Sequence, residues 1–210
     1  SRMFKAKEIE GDLKYAVRRQ EENIYRKRLR LANPEMARFK DLILYNLEAG
    51  QAVLTDNNDV RIYTDGREKF QALLTEMEQA KRYIHMQYYI IKNDELWQAI
   101  EPVLKRKVKE GVAVRILFDS MGCRTMKNRD WERLERAGIE VAEFFPALLG
   151  NLQLRINYRN HRKIVVIDGR IGFVGGFNVG REYIGLDEKF GYWRDTHLCI
   201  EGAAVTSLAV

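Results

Sequence analysis

Four β-branched residues in succession, Ile164-Val165-Val166-Ile167, are stopped by Asp168-Gly169 and followed by a second apolar run, Ile171 to Val174. β-Branched side chains pack well on a pleated sheet, and Asp-Gly is a two-residue turn dipeptide, so the stretch is predicted to be a buried strand folding back as a hairpin. The hairpin commits this part of the chain to a sheet. On the incoming strand residues two apart share a face, so His161 and Lys163 are expected to project together while Arg162 points away. The returning chain ends in Gly175-Gly176-Phe177-Asn178, which the hairpin brings back beside His161.

A neutral imidazole beside a fixed ammonium suits attack on a phosphate ester. The ring nitrogen is the nucleophile, and Lys163 offsets charge on the non-bridging oxygens as the transition state forms. Asn178 offers an amide donor to the same oxygens. Gly175 and Gly176 have no side chains, so their backbone N–H groups are expected to approach the phosphate closely. Asp168, taken alone, has a simpler reading as a hairpin turn residue.

The spacing HxKxxxxD, six residues, then GGxN resembles the signature of the phospholipase D superfamily, with Gly176 where many members carry serine. RNHRK before it, then FVGGFN and YWRDTH, resemble the bacterial cardiolipin synthases of that superfamily, in continuous register from about Gln51 onward. The resemblance implies phosphatidyl transfer between two phosphatidylglycerol molecules through a phosphatidyl-histidine on His161, releasing glycerol. A nucleophilic histidine needs its far nitrogen held by an acceptor. Superfamily members use a carboxylate downstream of the motif, which makes Asp195 the candidate and Asp168 the competing choice. No cofactor or metal is implied, because no Cys/His cluster has ligand spacing.

Elsewhere the chain alternates helix and strand signals. A long charged helix is predicted from Phe4 to Leu31 and a more apolar one from Glu35 to Glu48. Gln51–Thr55 and Asp59–Tyr63 are predicted to pair as a hairpin. Then come a helix from Arg67 to Ala80 capped by Asp65, a strand from Tyr83 to Ile91, and a helix from Asp94 to Glu110 bent or delayed by Pro102. Val112–Asp119 is a strand, Arg129–Ala137 a helix, Ile139–Phe145 a strand, and a last strand runs to Ile200. The fold class is α/β: a mixed, largely parallel sheet flanked by helices on both faces, with an N-terminal helical extension. The boundary falls between a basic, membrane-proximal segment, residues 1–48, and a first phospholipase D-like catalytic domain, residues 49–210. His85 and His197 read as packed structural histidines, and the apolar loop Pro146 to Asn151 as an acyl-chain groove or a buried crossing.

Charge supports that boundary. Residues 1–40 hold 12 Lys and Arg against 6 Asp and Glu, while residues 41–210 hold 24 of each, so the net charge of +6 is entirely N-terminal. The cluster Arg26, Lys27, Arg28 and Arg30 with Tyr25, Leu29 and Leu31 suits an anionic membrane surface. The near-neutral remainder argues against a nucleic-acid groove. In the synthases such a segment follows membrane helices, so the expected setting is the cytoplasmic face of a bacterial membrane, with those helices cut away.

The chemistry also needs a second group to protonate the leaving alkoxide. In the superfamily a second HxKxxxxD supplies it, and neither His85-Met86-Gln87 nor His197-Leu198-Cys199 makes one. The chain is therefore read as a half-site. A second motif beyond Val210, where the end looks cut, or a twofold homodimer would complete it. The alternatives are a homodimeric single-motif phosphodiesterase or nuclease, and an inactive domain that binds anionic lipid.

Overall fold

The structure is a computed structural model that describes residues 14–24, 33–144 and 160–208. It divides into two compact units, one built from residues up to Asp59 together with Gly202–Leu208, the other from Val60–Glu201.

In the first unit α1 (residues 14–24) and α2 (Lys40–Gly50) supply the core side chains Val17, Ile24, Ile43 and Leu47. A 3-10 turn, Pro34–Phe39, precedes α2 and is capped by the Asn33 side chain. Gln20 does the work of a missing strand partner: its amide donates to Leu54 O at 3.0 Å, and its carbonyl accepts from Leu54 N at 2.7 Å. Residues 51–57 are consequently irregular, and the hairpin expected from Gln51 does not form. The rest of the long N-terminal helix and the loop from Pro146 lie outside the described residues. Among those described, no helix is long and apolar enough to cross a membrane.

The second unit is a sheet with helices. Its strands are β1 (Asn58–Asp65), β2 (Tyr83–Tyr88), β3 (Ala113–Asp119), β4 (Glu140–Phe144), β5 (Ile164–Ile167), β6 (Ile171–Gly175) and β7 (Arg194–Gly202), in the order β1-β7-β6-β5-β2-β3-β4. Helices α3 (Gly66–Gln79), α4 (Glu95–Lys109) and α5 (Asn128–Arg136) connect the first four strands, and α6 (Ala204–Leu208), next in the chain after β7, belongs to the first unit. Asp65 and Asp94 cap α3 and α4 by accepting from the free N–H groups of the first turn. Pro102 is accommodated inside a continuous α4, whose Trp97, Ile100 and Leu104 are fully buried.

The sheet is mixed rather than largely parallel. β2, β3 and β4 are parallel, joined by α4 and α5, but β5 runs antiparallel to β2, β6 to β5 and β7 to β6. Asp168 and Gly169, both at positive φ of 57° and 69°, close the β5–β6 turn and set β6 antiparallel to β5. Burial alternates along β2 and β3, so among the described residues one face of these strands is packed and the other is partly open. The register aligns the packed face into cross-strand rows. Ile84, Ile167 and Ile171 form one, and Met86, Val165, Phe173 and Cys199 the next.

Candidate active site

Two residues further along the same register the rows turn polar. Gly175 lies opposite His197 and Lys163 O accepts from Gly175 N at 3.3 Å, while the last β2–β5 pair, Gln87 with Ile164, leaves Tyr88 and Lys163 next along their strands. His161 stands just beyond this row. It and Lys163 precede β5 rather than sitting in it, because the ladder begins at Ile164. Asp119, buried at the end of β3, fixes their approach by accepting from Asn160 N at 3.3 Å.

The two motif side chains meet as expected. Lys163 Nζ lies 3.0 Å from His161 Nδ1 and donates to His161 O at 2.6 Å. His161 is exposed while Lys163 is 4% exposed, so the imidazole faces solvent and the cation sits beneath it. The Tyr89 ring floors both, with its centroid 4.8 Å from that of the imidazole and 5.5 Å from Lys163 Nζ.

Electrostatics follow from this layering. Burial lowers the Lys163 pKa from 10.5 to about 8, with Asp195 pulling the other way. Burial, then the Lys163 charge, lowers His161 from its ordinary 6.5. At neutral pH the imidazole is therefore free base and the ammonium is still charged. That is the pairing nucleophilic attack on a phosphodiester needs.

Asp195, on β7, is brought close enough to act electrostatically on Lys163 and accepts from Thr196 N at 2.7 Å. The glycines turn out to be spacers for β7. A Cβ on Gly176 would sit 1.9 Å from Asp195 Oδ1, and one on Gly175 would sit 2.5 Å from His197 Cα. Their amides are already used: Gly176 N donates to Thr196 O and Gly175 N to Lys163 O. Asn178 is buried, with Oδ1 accepting from Ile90 N at 3.0 Å and Nδ2 donating to Tyr183 Oη at 2.9 Å. In this structure Asn178 ties the loop after the glycines to the end of β2.

Asp168 is not gathered into the site. It leaves the far end of β5, seven residues from His161, roughly 20 Å along an extended chain. Its carboxylate accepts from Lys81 N, Arg82 N and Tyr83 N, each at 2.8 Å, which clamps the start of β2 and lowers its pKa. His85 is elsewhere too, on the opposite face, stacked on Tyr83 at 4.4 Å and close to Arg115.

Tyr89, Asp119 and Tyr183 carry no motif signal. The alternation of β2 put Tyr89 on the face of His85, and only the loop geometry at the strand's end turns its ring toward His161. Among the described residues no three His, Cys, Asp or Glu side chains cluster to hold a metal.

Residues 73–192 match a protein family described as cardiolipin synthase, PLD-like domain. A cardiolipin synthase of Oceanobacillus iheyensis is 51% identical over 175 residues, covering 83% of this chain and 36% of that protein. The major cardiolipin synthase ClsA of Bacillus subtilis is 48% identical over 192 residues, covering 91% of this chain and 40% of that one. The chain thus spans about two fifths of the length of these relatives. The crystal structure of the phospholipase D family member Nuc from Salmonella typhimurium aligns with TM-score 0.52 and 18% identity, over 73% of this chain and 90% of that one, a likeness of fold.

Proposed function

The chain belongs to the family of cardiolipin synthase PLD-like domains, and from that premise we propose that it carries the first half-site of a phosphatidyltransferase joining two phosphatidylglycerol molecules. The observation that supports this most directly is the buried Lys163 ammonium 3.0 Å from Nδ1 of an exposed His161. Nδ1 is engaged, which leaves Nε2 to face the phosphorus. When the phosphodiester binds, Lys163 turns from the imidazole to the non-bridging oxygens. The ring, which held its proton on Nε2 while Nδ1 accepted from the ammonium, shifts to the Nδ1–H tautomer, donates that proton to Asp195 as a hydrogen bond, and leaves Nε2 bare for attack. Nε2 bonds to phosphorus as the bond to the glycerol headgroup oxygen breaks. A histidine from a second HxKxxxxD half protonates that oxygen, glycerol leaves, and the same group deprotonates the hydroxyl of the second lipid. That hydroxyl oxygen bonds to phosphorus and releases His161.

Free-enzyme activity is expected to rise as His161 loses its proton somewhat below pH 6.5 and to fall as Lys163 deprotonates at about 8. The working place is the inner face of a bacterial membrane, to which the excess of basic residues in the first 40 is suited. The test incubates the chain and His161→Ala with radiophosphorus-labelled phosphatidylglycerol in detergent micelles, with and without the second half of a relative. Label on the unmutated protein alone, and cardiolipin once the second half is added, are expected. Cardiolipin from this chain alone would mean that two copies complete the site. No label and no product with the second half present would overturn the reading.

A further inference from the structure

The segment that follows β2 is held from two sides. From the loop after β6, Asn178 Oδ1 accepts from Ile90 N at 3.0 Å, Val179 N donates to Ile90 O at 3.1 Å, and Val179 O accepts from Lys92 N at 2.9 Å. From the loop after β3, Cys123 Sγ accepts from Ile91 N at 3.2 Å and donates to Tyr89 O at 3.6 Å. Gly122 permits that approach, because a Cβ there would lie 2.0 Å from Tyr89 O. The backbone at Tyr89 is therefore fixed, and its ring is delivered to the point where His161 and Lys163 meet.

We propose that Tyr89 is a positioning residue: its ring face holds the Lys163 ammonium beneath His161 and limits the swing of the imidazole. The inference rests on the reading above, in which Lys163 binds phosphate and His161 attacks it. An ammonium has three donors. Lys163 Nζ contacts His161 at Nδ1 and at O, and among the described residues no carboxylate forms an ion pair with it. The Tyr89 ring lies beside it instead, its centroid 5.5 Å from Nζ. A ring face is negative at its centre and attracts a cation. A carboxylate in the same place would compete with the phosphate for the ammonium, whereas the ring lets the amine turn to the phosphate oxygens. The same ring meets the imidazole with 4.8 Å between centroids and a tilt of 50°, which restricts an otherwise exposed side chain.

The ring matters because Lys163 stands close to losing its proton. Burial takes its pKa down to about 8, and Asp195 opposes the fall. The titratable groups that bear on it are His161 on its own segment, Asp195 and His197 on β7, and Tyr89 from the end of β2. A further fall of about one pH unit would take the charged fraction at pH 7 from about nine-tenths to about half. A contact of ordinary cation–π strength is enough to decide between the two.

The test reads the titration of Lys163 by NMR of the lysine ε-carbon in this chain, which requires no turnover and so stands apart from the proposed reaction. Tyr89→Leu keeps an apolar side chain and removes the ring face; it is expected to lower the Lys163 pKa by about one pH unit. Tyr89→Phe keeps the face and loses only the hydroxyl, and is expected to stay within about 0.3 of the unmutated value. An unchanged Lys163 in folded Tyr89→Leu overturns the proposal and leaves a packing residue. An equal fall in Tyr89→Phe overturns it too, because the hydroxyl rather than the face would then be acting. The unmutated chain gives a check that survives a misfolded variant. Lys163 ε-protons shifted upfield by the ring, with nuclear Overhauser contacts to the Tyr89 ring protons, fit the proposal; ordinary shifts without those contacts contradict it.

Discussion

Lys163 precedes β5 and Asp168 follows it, four residues of apolar strand apart, and the two charges live under opposite conditions. Asp168 is partly exposed and has three backbone donors on its carboxylate. Lys163 is buried against an imidazole, its own neighbour's carbonyl and an aromatic face, and its charged form is disfavoured. One end of the strand is satisfied and holds the sheet together. The other keeps a cation that would be better solvated elsewhere, which is useful only if something anionic arrives. The difference supports reading one end as scaffold and the other as site, although both ends carry motif residues.

The sharpest break between the ends is His161→Ala. With the second half supplied, turnover is expected to fall by about a thousandfold or more, because the bond-forming atom is gone. Because His161 is exposed, the urea midpoint should stay put. A large stability loss would show that this end is scaffold too.

Asp168→Ala inverts the pattern. Removing an ionised acceptor from three backbone N–H groups is expected to cost about 2–3 kcal/mol in urea unfolding, with kcat of the folded fraction within about threefold of the original. The sign with pH follows from its lowered pKa. The stabilisation is full above its ordinary value of 3.8 and is lost as the pH falls through the lower folded value. The unmutated and variant midpoints should therefore converge in acid. Lost catalysis with intact stability would return Asp168 to the site.

How much of this was legible depends on which forces are local. The hairpin, the Asp65 cap and the His161–Lys163 pairing are set by residues close in sequence, and they stand as read. The parallel content was overestimated because helix-strand alternation describes only the stretch up to β4; the Asp168-Gly169 turn makes β5 and β6 antiparallel, and β5 and β7 join their other neighbours in the same sense. The expected strand near Gln51 depended on a partner, and the Gln20 side chain took that place. The glycines were read as room for phosphate. They are room for Asp195 and His197, a long-range packing fact that spacing along one strand does not carry.

Lys163→Met should sharpen the comparison from the opposite side. Replacing a disfavoured buried cation by an apolar chain of similar length is expected to stabilise by about 1–2 kcal/mol at pH 7 while abolishing phosphate binding. Between about pH 8 and 10.5 the unfolded chain holds the lysine proton more tightly than the folded one, so the unmutated protein gains stability as pH rises. The advantage of the variant should therefore shrink toward pH 10 in urea titrations. An advantage that is constant with pH would mean that Lys163 is not electrostatically strained.

Gly176→Ala makes the smallest change and tests whether Asp195 belongs to the active end. The added methyl meets the tip of one carboxylate, at 1.9 Å from Oδ1, whereas Gly175→Ala would meet the backbone at Thr196 O, 2.4 Å away. A carboxylate can swing aside more readily than a strand can move, so Gly176→Ala should fold with a stability loss under about 1 kcal/mol. Displacing Asp195 removes a carboxylate from near Lys163. Turnover should therefore fall severalfold, and the alkaline limb near 8 should move to lower pH, since Asp195 is what raises the Lys163 pKa against burial. If turnover falls but the limb stays where it is, Asp195 acts on the imidazole alone. If neither changes, it lies outside the site, and the active end of β5 reduces to His161 and Lys163 with the row beneath them.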